Sequence, residues 1–391
     1  MSFLRKGVAS EFISHIHPTV SANLASQSKR CVALLGRPDQ PTDAVEDYCR
    51  YLSQALEKHG FSLELLRVPW TEGWRKAFWE VRKKAEERRV SWFLVQYTAL
   101  AWSRRGFPLR IPKLIQSLEN CGARCAVIFH DAIPFGGERT IDWLRRALQV
   151  HAMRQALRFA DCAVFPVLPE KVPWIPKDCR NIVFIPVGAN LPEPERAWSM
   201  EKGDRADTVC VLSASPDWAA QSEMERIDLA IRFAAQRVGK LRLIVAGRNS
   251  AEVGRQLQQR LAHVEVEVVA HGVLPAEEIV RVLGSCHAML FTRGGISSRR
   301  SSAIAGIACG LPVIAAESAE TAAPLTEAGV VLLPAGAKDE FGPALARVLT
   351  DSAYRESLVE RSRLAQERHF SWSAISAEYV KFLRENETTP E

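Results

Sequence analysis

The residues best suited to chemistry lie between Phe291 and Ala316. An apolar run, His287 to Phe291, leads into Thr292-Arg-Gly-Gly and then Ile296-Ser-Ser-Arg-Arg300. A helix of small residues follows, Ser301 to Cys309, and stops at Gly310. This arrangement suits a diphosphate. Free backbone N–H groups and the positive end of the helix dipole gather at the first helical turn, where Ser301 and Ser302 stand. Gly294 and Gly295 allow close approach, Ser298 adds a hydroxyl, and Arg299 and Arg300 bring guanidinium groups that can each grip two phosphate oxygens. The plainer alternative is an exposed basic loop that caps a helix. A second candidate is His130-Asp131, delivered at the carboxyl end of the strand-like run Cys125 to Phe129. Ligands of open parallel sheets bind beyond the carboxyl ends of strands, so both places satisfy the same rule.

The elements that must position these groups alternate between strand and helix along the chain, which predicts parallel sheets covered by helices. Expected strands are 31–36, 62–68, 92–96, 125–129, 162–166 and 181–186, then 208–212, 241–246, 264–269, 287–291 and 311–316. Thr42 or Asp43 is the expected N-cap of a helix whose buried stripe is Val45, Tyr48, Cys49, Leu52, Ala55 and Leu56. Further helices are expected over 71–89, 140–160, 223–236 and 276–283. The predicted fold class is α/β, two Rossmann-like doubly wound domains with a cleft between them. The expected divisions are an N-terminal extension 1–30, a first Rossmann-like domain 31–192, a Pro-rich and charged linker 193–206 and a second such domain 207–368, followed by the C-terminal segment 369–391.

The run Ile304-Ala-Gly-Ile-Ala-Cys-Gly-Leu-Pro-Val-Ile-Ala315 resembles the small-residue helix and following strand of retaining GT-B glycosyltransferases, the large family 4 in particular. Pro41 to Tyr48, Phe129-His-Asp131, Pro186-Val-Gly-Ala-Asn190, Gly272 to Ile279 and the terminal Phe370-Ser-Trp372 are similar to that family in order and spacing, so the resemblance covers nearly all of 31–385. It implies a GT-B fold whose last helix crosses back to the N-terminal domain, and transfer of a sugar, with retention, from a nucleotide-diphosphate sugar gripped by the C-terminal domain. Most of the family carries two glutamates eight residues apart here. Counting back from Gly310, those places hold Ser297 and Ala305. A bacterial subset with a basic serine loop is similar to Gly295 to Ser302, which implies a variant donor site. By the resemblance, His130 contacts the donor sugar and helps seat the acceptor, and Asp131 orients it or caps the next segment. Arg248, with Arg226 as an alternative, is the nearest stand-in for the family's diphosphate cation. The acceptor is expected near Thr42, Asp43, Tyr48, Gln96 and Tyr97, with packing on the core the other reading for Tyr48. Two rivals stand beside this expectation: a non-catalytic nucleotide-sugar-binding scaffold, and an enzyme resembling nucleotide-sugar 2-epimerases, which would need carboxylates around the sugar.

Bulk properties narrow the classes. Lys and Arg outnumber Asp and Glu by 28 to 18 in residues 1–190, whereas residues 191–391 carry 23 against 27. A basic N-terminal half fits an anionic partner, a membrane surface or a phosphorylated acceptor, as well as a merely solvated basic helix. Trp70, Trp74, Phe78 and Trp79 beside the basic run 82–89 are either a core stripe or a membrane-facing patch for a lipid-linked acceptor. No nucleic-acid motif accompanies the charge. Nine scattered cysteines without zinc spacing, and no long apolar run near the N-terminus, point to a cytoplasmic protein, with peripheral contact at the inner face of a membrane as an addition. With no Asp-x-Asp motif, no metal is expected. No cofactor is expected either, the nucleotide-sugar being a substrate.

Overall fold

The computed structural model describes residues 29–88, 90–119, 121–194, 207–212 and 218–387. Of the expected N-terminal extension, residues 1–28 lie outside the described residues, as does the expected linker from 195 onward.

Ten elements make the first unit: β1 (Lys29–Leu35), α1 (Ala44–Glu57), β2 (Phe61–Arg67), α2 (Trp74–Arg88), β3 (Trp92–Tyr97), α3 (Ile111–Glu119), β4 (Arg124–Phe129), α4 (Thr140–Phe159), β5 (Cys162–Phe165) and β6 (Ile182–Phe184). The second unit begins with β7 (Asp207–Leu212), α5 (Trp218–Val238), β8 (Leu241–Ala246), α6 (Ser250–Arg260), β9 (Val266–Ala270) and α7 (Ala276–Gly284). It continues with β10 (Ala288–Gly295), α8 (Ser301–Ala308), β11 (Val313–Ala316), β12 (Val330–Leu333), α9 (Phe341–Thr350) and α10 (Ser352–Ala365), and α11 (Trp372–Glu385) is the last helix. Each unit holds one six-stranded sheet, ordered β2-β1-β3-β4-β5-β6 and β12-β11-β10-β7-β8-β9. Every pairing is parallel. Helices cover both faces, which is why β3 and β4 read as continuous apolar runs rather than alternating ones.

Strand order reverses at β1, which sits between β2 and β3, and at β7, between β8 and β10. Crevices form where the chain diverges to opposite sides of such a strand. Each unit thus opens its crevice beside the loops that carry the candidate residues.

The helix α1 starts where its cap dictates. The Asp43 carboxylate accepts the Val45 and Glu46 backbone N–H groups, and Tyr48, Cys49, Leu52, Ala55 and Leu56 are buried. Helix α8 is buried from Ala303 to Ala308, and a Cβ on Gly306 would come 2.6 Å from Met289 Sδ, so only small side chains let this helix lie so close on its sheet.

The two units are joined through α11, which packs on α1. The Trp372 ring stacks on Tyr51, and the buried Tyr48 and Tyr379 hydroxyls share a 2.9 Å hydrogen bond. A Cβ on Gly188 would stand 2.6 Å from the Trp372 ring, so glycine is required where that ring seats. Further ties cross the cleft: Val187 N–H to Ser298 O at 3.1 Å and Ser298 Oγ to Pro166 O at 2.6 Å.

Candidate functional site

Strand β10 does not end at Phe291, as the apolar run suggested. Its register against β11 jumps from Phe291↔Ala315 to Gly295↔Ala316, so Thr292, Arg293 and Gly294 form a bulge. Gly294 takes φ +68°, a conformation that favours glycine. Arg226 Nη1 donates to Thr292 O at 3.0 Å and braces the bulge, so this arginine serves the backbone rather than a phosphate. Gly295 allows a close approach, but of protein: a Cβ there would overlap Ser318 Cβ and the Glu317 carbonyl oxygen. The bulge aims the exposed Arg293 at a cavity of about 410 Å³ shared with the first unit. Asp43, Arg67, Gln96, Thr98 and Asp131 also line it.

Arg299 and Arg300 follow. The Arg299 fork is closed by Glu320, with Nε to Oε2 at 2.6 Å and Nη2 to Oε1 at 2.9 Å, and both side chains are largely buried. Burial pushes the Glu320 carboxyl up, but the hydrogen bond and charge of Arg299 outweigh it and hold it below the usual carboxylate range. Arg299 is therefore paired with protein, contrary to the expected phosphate grip. Arg300 differs. It is the N-cap of α8, no side chain caps that helix end, and its buried Nε has no hydrogen-bond partner among the described residues. Burial, reinforced by the neighbouring charge of Arg299, lowers its pKa to about 10. The first-turn N–H groups of Ser301 and Ser302 have no intrahelical acceptor. A charged guanidinium with an open Nε beside such N–H groups calls for an anion.

Asp131 faces this group from the first unit. Burial raises its pKa, opposed by Arg299, by the Ala99 backbone N–H it accepts, and by Arg300. It does not orient His130. That role falls to Gln96, which is fully buried and whose Oε1 lies 2.8 Å from His130 Nε2 while its Nε2 donates to Leu94 O. The amide therefore accepts the imidazole Nε2–H, leaving Nδ1 as the acceptor. Tyr48 meets the ring edge-on at 5.1 Å. Burial drops the His130 pKa to about 4, only partly opposed by Asp43, so the ring is neutral at pH 7. The folded value lies below the unfolded one near 6.5, so the neutral ring supports the fold above that value and this support is lost as pH falls toward 4. Urea titrations of wild type and His130→Gln should therefore diverge across that window, wild type losing stability more steeply; parallel curves would contradict the burial assigned to this ring.

Other expected residues are occupied otherwise. Arg248 reaches across the cleft to Asp39 Oδ2 and Thr42 Oγ1, both at 2.9 Å, and to Thr42 O, so Arg248 and Thr42 engage each other instead of donor and acceptor. Ser298 donates to Pro166 rather than to a phosphate. Asp43 caps α1 and pairs with Arg67. Tyr48 is spent on Tyr379, the packing reading. Tyr97 is fully buried against Phe129 and lines a second cavity. Trp70 stacks on Trp74 and Phe78 packs tilted against it, leaving only Trp79 of that group exposed, which favours the core stripe over the membrane patch. Arg293 and Glu320 went unread in the sequence. The signal for Glu320 was its place after β11, whose carboxyl end adjoins that of β10.

No family model and no curated protein matches the sequence. Solved structures do match. The chain is similar to HepE of Anabaena in complex with UDP and glucose, at 14% identity and TM-score 0.63, over 91% of this chain and 100% of that one. It is similar to sucrose-phosphate synthase of Thermosynechococcus elongatus, at 16% identity and TM-score 0.66, over 91% and 98%. UDP-GlcNAc 2-epimerase of Neisseria meningitidis bound to UDP-GlcNAc matches at 12% identity and TM-score 0.55, over 91% and 100%. With two parallel six-stranded sheets, helices on both faces and a cleft at their carboxyl ends, the chain has the α/β GT-B fold.

Proposed function

We propose that the protein is a glycosyltransferase that moves a sugar from a nucleoside-diphosphate sugar to an acceptor hydroxyl, with retention and without a metal. The observation that carries this reading is the unpartnered Nε of Arg300 at the uncapped N-terminus of α8. Arg300, the Ser301 and Ser302 N–H groups and Arg293 would stabilise the diphosphate as its charge grows in the transition state, when such contacts are worth most. The C1–O bond to phosphate breaks, the C1–O bond to the acceptor forms on the same face, and the leaving phosphate oxygen takes the acceptor proton. A neutral His130 suits a positioning contact through Nδ1 rather than proton transfer. Arg299, held by Glu320, fixes the loop and lends its charge at a distance. The cross-cleft bonds of Ser298 exclude water, which would otherwise hydrolyse the donor. The setting we propose is the cytoplasm, with the first unit at the inner face of a membrane. Among the described residues no helix is long and apolar enough to cross one.

The fold itself is shared with an epimerase, so the site must decide. Residues 297 and 305 lack carboxylates and Glu320 is engaged by Arg299, which favours transfer over epimerisation. A panel of nucleotide-sugars, followed by release of nucleoside diphosphate with and without acceptors, tests the reading. Consumption of one donor with retained anomeric configuration is expected. Tight binding with no donor consumed would favour a scaffold, and conversion at C2 an epimerase.

A further inference from the structure

A second cavity, of about 470 Å³, opens in the first unit and is lined in part by Asp131 and Arg299. Tyr97 lines it, and the buried Tyr97 hydroxyl has no hydrogen-bond partner among the described residues. Its cations are of two kinds. Arg145 is committed: it pairs with Asp142, donates to Arg105 O at 3.1 Å, and lies over the rings of Phe107 and Phe135. Arg104 and Arg105 are exposed on the rim, and no ion pair or side-chain hydrogen bond engages their guanidinium groups among the described residues. Asp131, Gln149 and the Glu320-paired Arg299 add polar groups, and Leu100, Ile133, Phe135 and Met153 form an apolar wall. Two exposed apolar side chains, Leu100 and Phe135, belong to its lining. Leu100, Leu109 and Phe135 are exposed, and so are Ile141, Trp143 (68%) and Leu144 in the first turns of α4, the helix that supplies Arg145 and Gln149 to the cavity. Arg139 and Arg146 are exposed on the same turns. Leu100 and Phe135 thus stand at the cavity mouth beside Arg104 and Arg105, and three more exposed hydrophobics, Ile141, Trp143 and Leu144, crowd the first turns of the helix that lines it. Scattered single exposures would need no explanation, but such a cluster marks an interaction site.

We propose that this cavity is the acceptor site and that the acceptor is a phosphate-bearing lipid. Its phosphate lies between Arg104 and Arg105, its sugar or hydroxyl head reaches past the Tyr97 hydroxyl toward Asp131, and its chain leaves over Phe135 and Leu100 toward the α4 turns. Charge complementarity selects the phosphate, since two guanidinium groups without a carboxylate partner at the rim attract an anion more strongly than a neutral head. The apolar rim selects a lipid over a soluble phosphorylated sugar, which would leave the exposed Leu100 and Phe135 in water. This assignment rests on the transferase reading, and it places the acceptor within reach of the diphosphate loop because Asp131 borders both cavities.

The test uses octyl phosphate as the probe, below its aggregation threshold, in titration calorimetry with the full chain. Octyl glucoside, inorganic phosphate and UDP serve as comparison titrants. Wild type should bind octyl phosphate, and Arg104→Ala with Arg105→Ala should weaken it at least tenfold while UDP affinity stays within twofold. Both arginines are exposed, so these changes spare the core; Tyr97→Phe, a second variant that keeps the ring packing, should weaken octyl phosphate by three- to tenfold. No binding of octyl phosphate, or unchanged affinity in the double variant, overturns the site. Octyl glucoside binding as tightly overturns the phosphate, and inorganic phosphate binding as tightly overturns the lipid. UDP titrated into the same samples reports on the donor loop, so failure there is read separately.

Discussion

Arg300→Ala should weaken binding of a nucleoside diphosphate by roughly 10- to 100-fold, because a hydrogen bond to a charged group contributes about 1.5–3 kcal/mol and each 1.4 kcal/mol is a factor of ten. Turnover should fall further. The diphosphate gains charge as the glycosidic bond breaks, and removing one preorganised donor to a developing anion typically lowers kcat by about 10²–10³. Arg300→Lys should recover only part of the loss, since an ammonium keeps the charge but has no planar fork and no Nε. Stability should move the other way. In the free protein Arg300 is a largely buried cation whose Nε is unpartnered and whose pKa burial and Arg299 have lowered to about 10, so it stays charged at neutral pH at a cost to the fold. Without nucleotide, the alanine variant should melt at or above the wild-type temperature. A variant that melts lower and still binds UDP normally would show that Arg300 serves the structure alone. Opposite signs for stability and binding are what a functional site held against its own interest produces.

The second large effect belongs to the neighbouring arginine and is of a different kind. Arg299→Ala should destabilise the fold by about 2–4 kcal/mol, because it leaves the Glu320 carboxylate, whose side chain is 12% exposed, without its bidentate partner. Glu320→Ala should cost a comparable amount, since the buried Arg299 would lose its bidentate partner and face Arg300 with Asp131 alone opposing the repulsion. The double variant should cost less than the sum of the two, with a coupling of about 1–3 kcal/mol in a urea-denaturation cycle. Additive losses, or an Arg299→Ala variant of wild-type stability whose nucleotide affinity collapses, would return Arg299 to the role of direct phosphate ligand. The two arginines are adjacent in sequence and opposite in duty: one anchors the loop to the segment after β11, the other is left open.

That difference marks the limit of what the sequence shows. Period and composition located β1, α1, β3, β4, β8 and the loop–helix–strand unit around α8, because each buries a continuous apolar face. Helix α10 went unread since its buried positions are Arg355, Leu358, Ser362 and Ala365, which carry no apolar stripe. The buried Arg355 is satisfied instead by the Val348 and Leu349 carbonyls at the end of α9. Helix α6 buries Ser250, Val253, Gly254 and Leu257, again a weak stripe, and the four residues of β12 are too few to show a period. At the site, residue types pointed to loops and strand ends that border the cleft, whereas partners decided which groups are engaged. Arg299 and Arg300 are alike until Glu320 is placed beside one of them. Tyr48 is a plausible acceptor contact until the Tyr379 hydroxyl arrives from the far end of the chain. Gln96 joined the acceptor group in the sequence and is the residue that sets the His130 tautomer. Such pairings span 21 to 331 residues of chain and leave no local trace.

The central claim is that the uncapped end of α8, with Arg300, holds a diphosphate. A crystal structure of the chain soaked with UDP tests it most directly. The account predicts a β-phosphate oxygen within hydrogen-bond distance of Arg300 Nε and of the Ser301 or Ser302 N–H, with the Arg299–Glu320 pair intact. Diphosphate density elsewhere in the cleft, with Arg300 Nε bonded to protein, would contradict it.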